Sequence, residues 1–176
     1  MIKQTFTTFA FLCIALITFN LNAQDFKSLD KSPMDAASFP TSNRVNEKTV
    51  KVIYSRPQLK GRTVQSLAQN GKVWRTGANE ATSITFYKDV TFGSTPVKAG
   101  TYSLFTIPGD TEWTFIISSD VDVWGAYSYN EANDVARATG TVAKGDKSLE
   151  AFSIAFDYDG SMHLGWGTLR VSVPIK

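Results

Sequence analysis

The chain has 176 residues, 43% of them hydrophobic, and carries 18 basic against 16 acidic side chains, one histidine and one cysteine. Lys and Arg are scattered among Asp and Glu, which excludes the basic stripe of a nucleic-acid binder. One cysteine excludes an internal disulfide, and a lone histidine without cysteine partners leaves no zinc-type ligand set.

The N-terminus carries Lys3, an uncharged apolar run from Phe9 to Phe19 and the segment Asn20-Leu21-Asn22-Ala23, which together have the three parts of a secretory signal cut near Ala23. The run is shorter than the roughly 18 to 20 residues of a membrane-spanning helix, and no other apolar stretch is long enough to span. Cys13 lies inside it among apolar neighbours, unlike a lipoprotein cysteine. Removing residues 1–23 leaves 153 residues with 17 basic and 16 acidic side chains, which suits one domain. The expected location is the periplasm or the cell exterior.

Residues 24–46 read as a polar lead-in or edge segment, with Ser32-Pro33 and Phe39-Pro40 breaking any helix, and a single domain is expected over residues 47–176. Thr49 to Tyr54 alternates, with Val50, Val52 and Tyr54 on one face, and Arg56-Pro57 ends the strand. The spacing of Val64, Leu67 and Ala68 predicts a short helix between Thr63 and Gln69. Asn70-Gly71 makes a tight turn and Gly77 a bend, which sets Asn79 and Glu80 at the mouth of the next strand. Strands follow over Thr82 to Tyr87, Val90 to Phe92, Thr101 to Ile107 and Glu112 to Ser119. In the last of these Trp113, Phe115 and Ile117 share a face.

Asp120 to Asn133 is the longest irregular section and holds Trp124, Tyr127 and Tyr129; a loop of this length in a compact domain is often functional. Asp134 to Val142 returns as a strand, Lys144 to Lys147 reads as a solvated turn, and Leu149 to Tyr158, Met162 to Trp166 and Leu169 to Ile175 complete the pattern. Eight or nine short antiparallel strands and one short helix specify an all-β fold. The expected architecture is an antiparallel β-sandwich, jelly-roll-like, with a closed β-barrel as the alternative.

Side chains able to bind or react concentrate in one stretch, Arg56, Arg62, Arg75, Asn79 and Glu80. Arginine is a planar fork suited to carboxylate, phosphate or sulfate, and Asn with Glu adds an amide and an acceptor. The structural reading of the same residues is that Glu80 pairs with one or two of the arginines and pins the loop to the sheet. Trp124 and Tyr127 supply an aromatic wall for a flat or sugar-like ligand, whereas Trp113 reads as core. His163 reads as a packed or surface residue, and the pairs Asp157 with Asp159 and Asp120 with Asp122 as solvated turns. No Gly-x-Ser-x-Gly elbow is present, no metal set is formed and no cofactor motif is seen.

Several strings resemble one bacterial family, the domain of unknown function 2911. They are Tyr54-Ser-Arg-Pro57 with Lys60-Gly-Arg62; Gly71-Lys-Val-Trp-Arg-Thr-Gly-Ala-Asn-Glu-Ala-Thr82; Ala99-Gly-Thr-Tyr-Ser-Leu-Phe-Thr-Ile-Pro108; Trp124-Gly-Ala-Tyr127; and Arg170-Val-Ser-Val-Pro174. The resemblance spans about Ser32 to Ile175. It implies an exported protein of Gram-negative bacteria and supplies no activity. Three functional classes follow from the residues. The first is a binding module for a small anion or carbohydrate, built on Arg56, Arg62, Arg75, Asn79, Glu80, Trp124 and Tyr127. The second is a small envelope hydrolase or lyase with Glu80 or His163 as base, and the third a structural domain that binds a partner through a flat patch or free sheet edge.

Overall fold

The computed structural model describes residues 25–176, so the N-terminal segment read as a signal lies outside the described residues. The elements in chain order are β1 (Met34–Phe39), β2 (Val50–Ser55), a helical turn α1 (Val64–Leu67), β3 (Thr82–Phe86), β4 (Val90–Phe92), β5 (Thr95–Val97), β6 (Gly100–Ile107), β7 (Glu112–Ser118), a 3-10 turn (Glu131–Asn133), β8 (Asp134–Thr141), β9 (Ala143–Phe156) and β10 (Met162–Val173). One antiparallel sheet has the order β1-β2-β3-β6-β7-β8. It is a meander with a single excursion, the β4-β5 hairpin, and is simpler than the jelly-roll interleaving expected. Its two edges, β1 and β8, do not meet, so the barrel alternative is not realised.

The facing layer is built around the β9-β10 hairpin. Its flanks are extended by short pairings, with Thr91 and Lys176 exchanging backbone hydrogen bonds on one side. On the other, Phe152 N–H donates to the Pro57 carbonyl at 2.9 Å and Leu59 N–H to that of Glu150 at 3.0 Å.

Strand alternation explains what the layers bury. Val50, Val52 and Tyr54 in β2, Ile84 and Phe86 in β3, and Trp113, Phe115 and Ile117 in β7 all point into the space between the layers, opposite Phe152, Ile154, Leu164 and Trp166. Trp74 and Trp166 stack there at 5.6 Å and 10°, with Trp113 edge-on to Trp74 at 6.0 Å. Such pairs add about 0.5 to 1.5 kcal/mol each beyond the area they bury. The helical turn has Thr63 as its N-cap, the hydroxyl accepting from Ser66 N–H, and it buries Val64 as a plug.

Within the segment read as a lead-in or edge segment, β1 forms an edge of the sheet and pairs with β2 from Met34↔Ser55 to Phe39↔Val50; Phe39 packs on the core while Phe26, Leu29 and Met34 stay exposed. Two features differ from the pattern read off the sequence. The charged run Lys144 to Lys147 lies within β9 rather than in a turn. It is held there because Arg170 of β10 lies across Gly145, where a Cβ would come within 2.8 Å of the guanidinium, and donates to the Lys147 carbonyl at 2.6 Å. Met162–Val173 is one strand, bulged near Gly167, instead of two.

The outer face of the six-stranded sheet is divided. In its β6-β7 half Phe105 and Ile116 are fully buried although they point away from the core, and Ser103 and Ser118 beside them are buried too. In the other half Lys51 and Ile53 of β2 and Thr101 of β6 remain exposed, with Ser83 and Thr85 of β3 half-buried. The difference is made by the loop over residues 119–133, which crosses the first half only.

Candidate functional site

Two of the three arginines singled out from the sequence are consumed by the fold. Arg56, at the end of β2, donates from Nε to the Phe152 carbonyl at 3.0 Å, from Nη1 to Asp35 of β1 at 3.0 Å and from Nη2 to Ser153 Oγ at 2.8 Å. It therefore clamps both sheets at one edge of the sandwich. Beside it Tyr54 Oη accepts from Ile154 N–H at 2.9 Å, satisfying another edge group of β9. Arg62 donates to the carbonyls of Leu59 and Gln58 and so caps its own turn. Glu80 is exposed and pairs with no arginine among the described residues, so the loop is not pinned through that carboxylate.

Arg75 sits elsewhere. Trp74 and Thr106 exchange backbone hydrogen bonds of 2.7 and 2.9 Å, which makes residues 73–76 a continuation of the neighbour that β6 has in β3. Trp74 faces the core and Thr76 Oγ1 reaches Thr106 Oγ1 at 3.2 Å on the same side. Arg75 between them leaves on the outer face, as Phe105 does. Its Nε is buried without a hydrogen-bond partner, while the residue as a whole is half-buried.

From Arg75 the chain makes a closed loop over residues 77–81 and returns as β3. The neck is tied by Thr82 N–H to the Arg75 carbonyl at 3.0 Å and Thr82 Oγ1 to the Thr76 carbonyl at 2.7 Å. Gly77 fits the neck because a Cβ there would come to 3.0 Å from the Ser55 carbonyl oxygen. The tip pairs with the cover loop. Ala81 N–H donates to the Val123 carbonyl at 2.9 Å, Gly125 N–H to that of Asn79 at 3.0 Å, and Glu80 bridges to Trp124. Of the four non-glycine residues in the left-handed region among the described residues, three lie here, Thr76, Asn79 and Asp122. Such backbone costs about 1 to 3 kcal/mol for a branched residue and clusters where a fold holds a site in shape.

The cover loop is anchored by a polar network that the sequence reading missed. Tyr129 lies edge-on over Phe105 at 5.2 Å and donates to Asp134 at 2.8 Å, while Arg137 donates from Nη2 to Tyr129 Oη at 2.8 Å and from Nε to Asp134 at 2.7 Å. Glu131 adds a second carboxylate at 3.2 Å from Arg137. Burial, and after it the Asp134 carboxylate accepting its hydrogen bond, push the Tyr129 phenol up to about 12. Only the turn that stacks Tyr129 on Phe105 brings Glu131, Asp134 and Arg137 together.

At the junction of the two loops Trp124 is 60% and Tyr127 86% exposed. Gly125 has φ +68°, and a Cβ there would come within 2.7 Å of the Tyr127 ring, so glycine leaves room for that ring to fold back over the backbone. The side chains of Arg75, Asn79, Glu80, Trp124 and Tyr127 have no hydrogen-bond partner among the described residues. Next to Asn79, residues 27–32 of the lead-in line a shallow, open depression of about 540 Å³ whose lining includes Lys27, Asp30 and Lys31.

A second polar group lies at the β9-β10 turn. His163 Nε2 is 2.8 Å from Asp157 Oδ2, and Ser161 N–H donates to both Asp157 and Asp159. The hydrogen bond with Asp157, followed by that from the Ser161 N–H, holds the Asp159 carboxyl down at about 2. This is a turn lock with one histidine nitrogen occupied by a carboxylate. Among the described residues no three His, Cys, Asp or Glu side chains gather as a metal set, and no helix is long and apolar enough to cross a membrane.

Over residues 32–175 the chain matches the family model described as "Protein of unknown function (DUF2911)". That span is most of the sequence, and the chain belongs to this family. No curated protein and no solved structure matches it.

Proposed function

We propose that this member of the family is an exported module that binds a small sugar-like ligand at the junction of the 77–81 loop and the cover loop. The observation that carries the reading is the contrast in engagement. Arg56, Arg62 and Arg137 are spent on the fold, whereas Arg75, Asn79, Glu80, Trp124 and Tyr127, carried by the neck and tip of the 77–81 loop and by the cover loop tied to it, have no side-chain hydrogen-bond partner among the described residues. Two exposed aromatic faces give a pyranose ring apolar area to lie on, and an amide, a carboxylate and a guanidinium supply donors and acceptors for its hydroxyls.

The rival reading, a hydrolase, has less behind it. Among the described residues Glu80 is hydrogen-bonded to no second reactive group, and the His163 pair with Asp157 belongs to a turn far along the chain. The arrangement at the rim suits holding rather than breaking a bond.

Three of the four tryptophans are buried and only Trp124 is open to solvent, which makes the test direct. Acrylamide quenches the accessible indole, and a bound oligosaccharide shields it. Soluble oligosaccharides are titrated against the purified protein and quenching is followed, with Trp124→Ala as control. Saturable protection that disappears in Trp124→Ala supports the reading. Unchanged quenching across neutral and acidic oligosaccharides refutes it.

A further inference from the structure

We infer that β8 is an open sheet edge to which a second copy of this chain adds its own β8, antiparallel and about a twofold axis. The inference does not depend on the sugar-binding reading above.

Among the described residues the two layers end in four outer edges, and three of them are blocked. In β1 the Arg56 N–H donates to the Pro33 carbonyl at 3.0 Å and continues the ladder with β2, so alternation turns the backbone groups of Met34, Ala36 and Ser38 outward. The Asp35 carboxylate accepts the Ala36 N–H there at 2.8 Å. Along β9 the Phe152 N–H donates to the Pro57 carbonyl and the Ile154 N–H to the Tyr54 hydroxyl, while its far part carries Lys144, Asp146 and Lys147 and runs opposite the irregular stretch of β10. In the hairpin, Thr91 of β4 bonds to Lys176, so Val90 and Phe92 turn to β5 and Pro96 stands outward with no N–H to offer. A capping carboxylate, charges beside a bulge and an edge proline are devices that keep sheets from pairing edge to edge.

β8 has none of them. The Val142 N–H donates to the Thr111 carbonyl at 2.8 Å, which sets Gly140, Ala138 and Ala136 toward β7 and the backbone groups of Thr141, Thr139 and Arg137 outward. All three are exposed residues, and β8 pairs with β7 alone among the described strands. The ladder is regular from Thr141 to Ala136, its one shift lying beyond, at Ser118. Arg137 does not guard the edge, because its guanidinium is drawn back onto Asp134, Glu131 and Tyr129 of its own chain. A shallow, open groove of about 370 Å³ runs past Arg137, Ala138 and Thr139, and its other lining residues include only small ones, such as Gly93, Ser94 and Pro174.

Unpaired donors and acceptors at every second residue are matched by another extended main chain. A second β8 supplies one without opposing like charges. With Thr139 on the axis, facing its own counterpart, Arg137 falls opposite Thr141 of the partner subunit, and about six backbone hydrogen bonds close both edges at once. An unrelated strand would need an open edge of its own.

Sedimentation equilibrium of the purified protein is expected to show reversible dimerisation at roughly micromolar to hundred-micromolar concentration. Thr139→Lys sets two ammonium groups face to face across the axis and raises the dissociation constant about tenfold or more. Thr139→Glu does the same with carboxylates, and an equimolar mixture of the two variants recovers the dimer. Thr139→Ala keeps the backbone groups and stays within about threefold of the native protein. A protein that remains monomeric to about 1 mM overturns the inference. So does a dimer that withstands both charged variants, since its contact then lies elsewhere, and so does weakening by both without recovery on mixing. Native protein alone gives a second measurement: amide exchange at Arg137, Thr139 and Thr141 slows as concentration rises, and fast exchange independent of concentration overturns the inference.

Discussion

Arg56 and Arg75 stand on opposite sides of the same stretch of chain and have opposite fates. Around Arg56 each guanidinium nitrogen has an acceptor: Asp35 of β1, the Phe152 carbonyl and Ser153 of β9 close on it from both layers. Around Arg75 the backbone is tied at the neck of a loop, yet the side chain has no partner and the nearby Asn79, Glu80, Trp124 and Tyr127 have none either. A cluster of charges is structural when the fold has answered each of them. A fixed backbone with unanswered side chains is the contrast on which the proposed binding reading rests.

That comparison can be broken at either end. The largest expected effect is on the clamp, where Arg56→Ala removes three charge-assisted hydrogen bonds from a half-buried seam and is expected to lower stability by about 2 to 3 kcal/mol in urea melts. Ligand shielding of Trp124 in that variant should match the native protein at temperatures where it is folded. A destabilisation below about 0.5 kcal/mol would show that the seam does not need the clamp.

The cover loop comes next. Tyr129→Phe keeps the ring on Phe105 and deletes the hydroxyl between Asp134 and Arg137, with an expected loss of about 1 to 2 kcal/mol. The sign of its pH dependence follows from the raised phenol. The folded state holds the neutral form more tightly than the unfolded chain, whose phenols ionise near 10, so the contribution is complete below about pH 10 and is lost as pH rises toward about 12. Native protein should accordingly lose stability over that window more steeply than Tyr129→Phe, read by thermal melts with phenolate absorbance as the companion signal.

The smallest effect is expected at the rim. Trp124→Ala changes a side chain that is 60% exposed and should alter stability by no more than about 0.5 kcal/mol, while abolishing ligand shielding. A large loss of stability would place Trp124 with Arg56 among the residues that hold the fold.

The sequence by itself determined the all-β class, the core-facing residues of β2, β3 and β7, the helical turn after Thr63, the long loop before β8 and the family. Each of these follows from a local property, namely alternation, turn chemistry or a contiguous string. It could not separate the arginines. Arg56, Arg62 and Arg75 are chemically identical, and what distinguishes them is the set of acceptors contributed by β1 and β9, elements more than 20 and more than 90 residues away in the cases of Asp35 and Phe152. The charged run in β9 misled for a related reason, since Lys144, Asp146 and Lys147 have the composition of a turn and only Arg170, packed across Gly145, shows them to be an exposed strand. Alternation is written along the chain, so it is legible there. Whether a polar group is satisfied depends on what the other layer brings to it, and that was decided only when the two sheets closed.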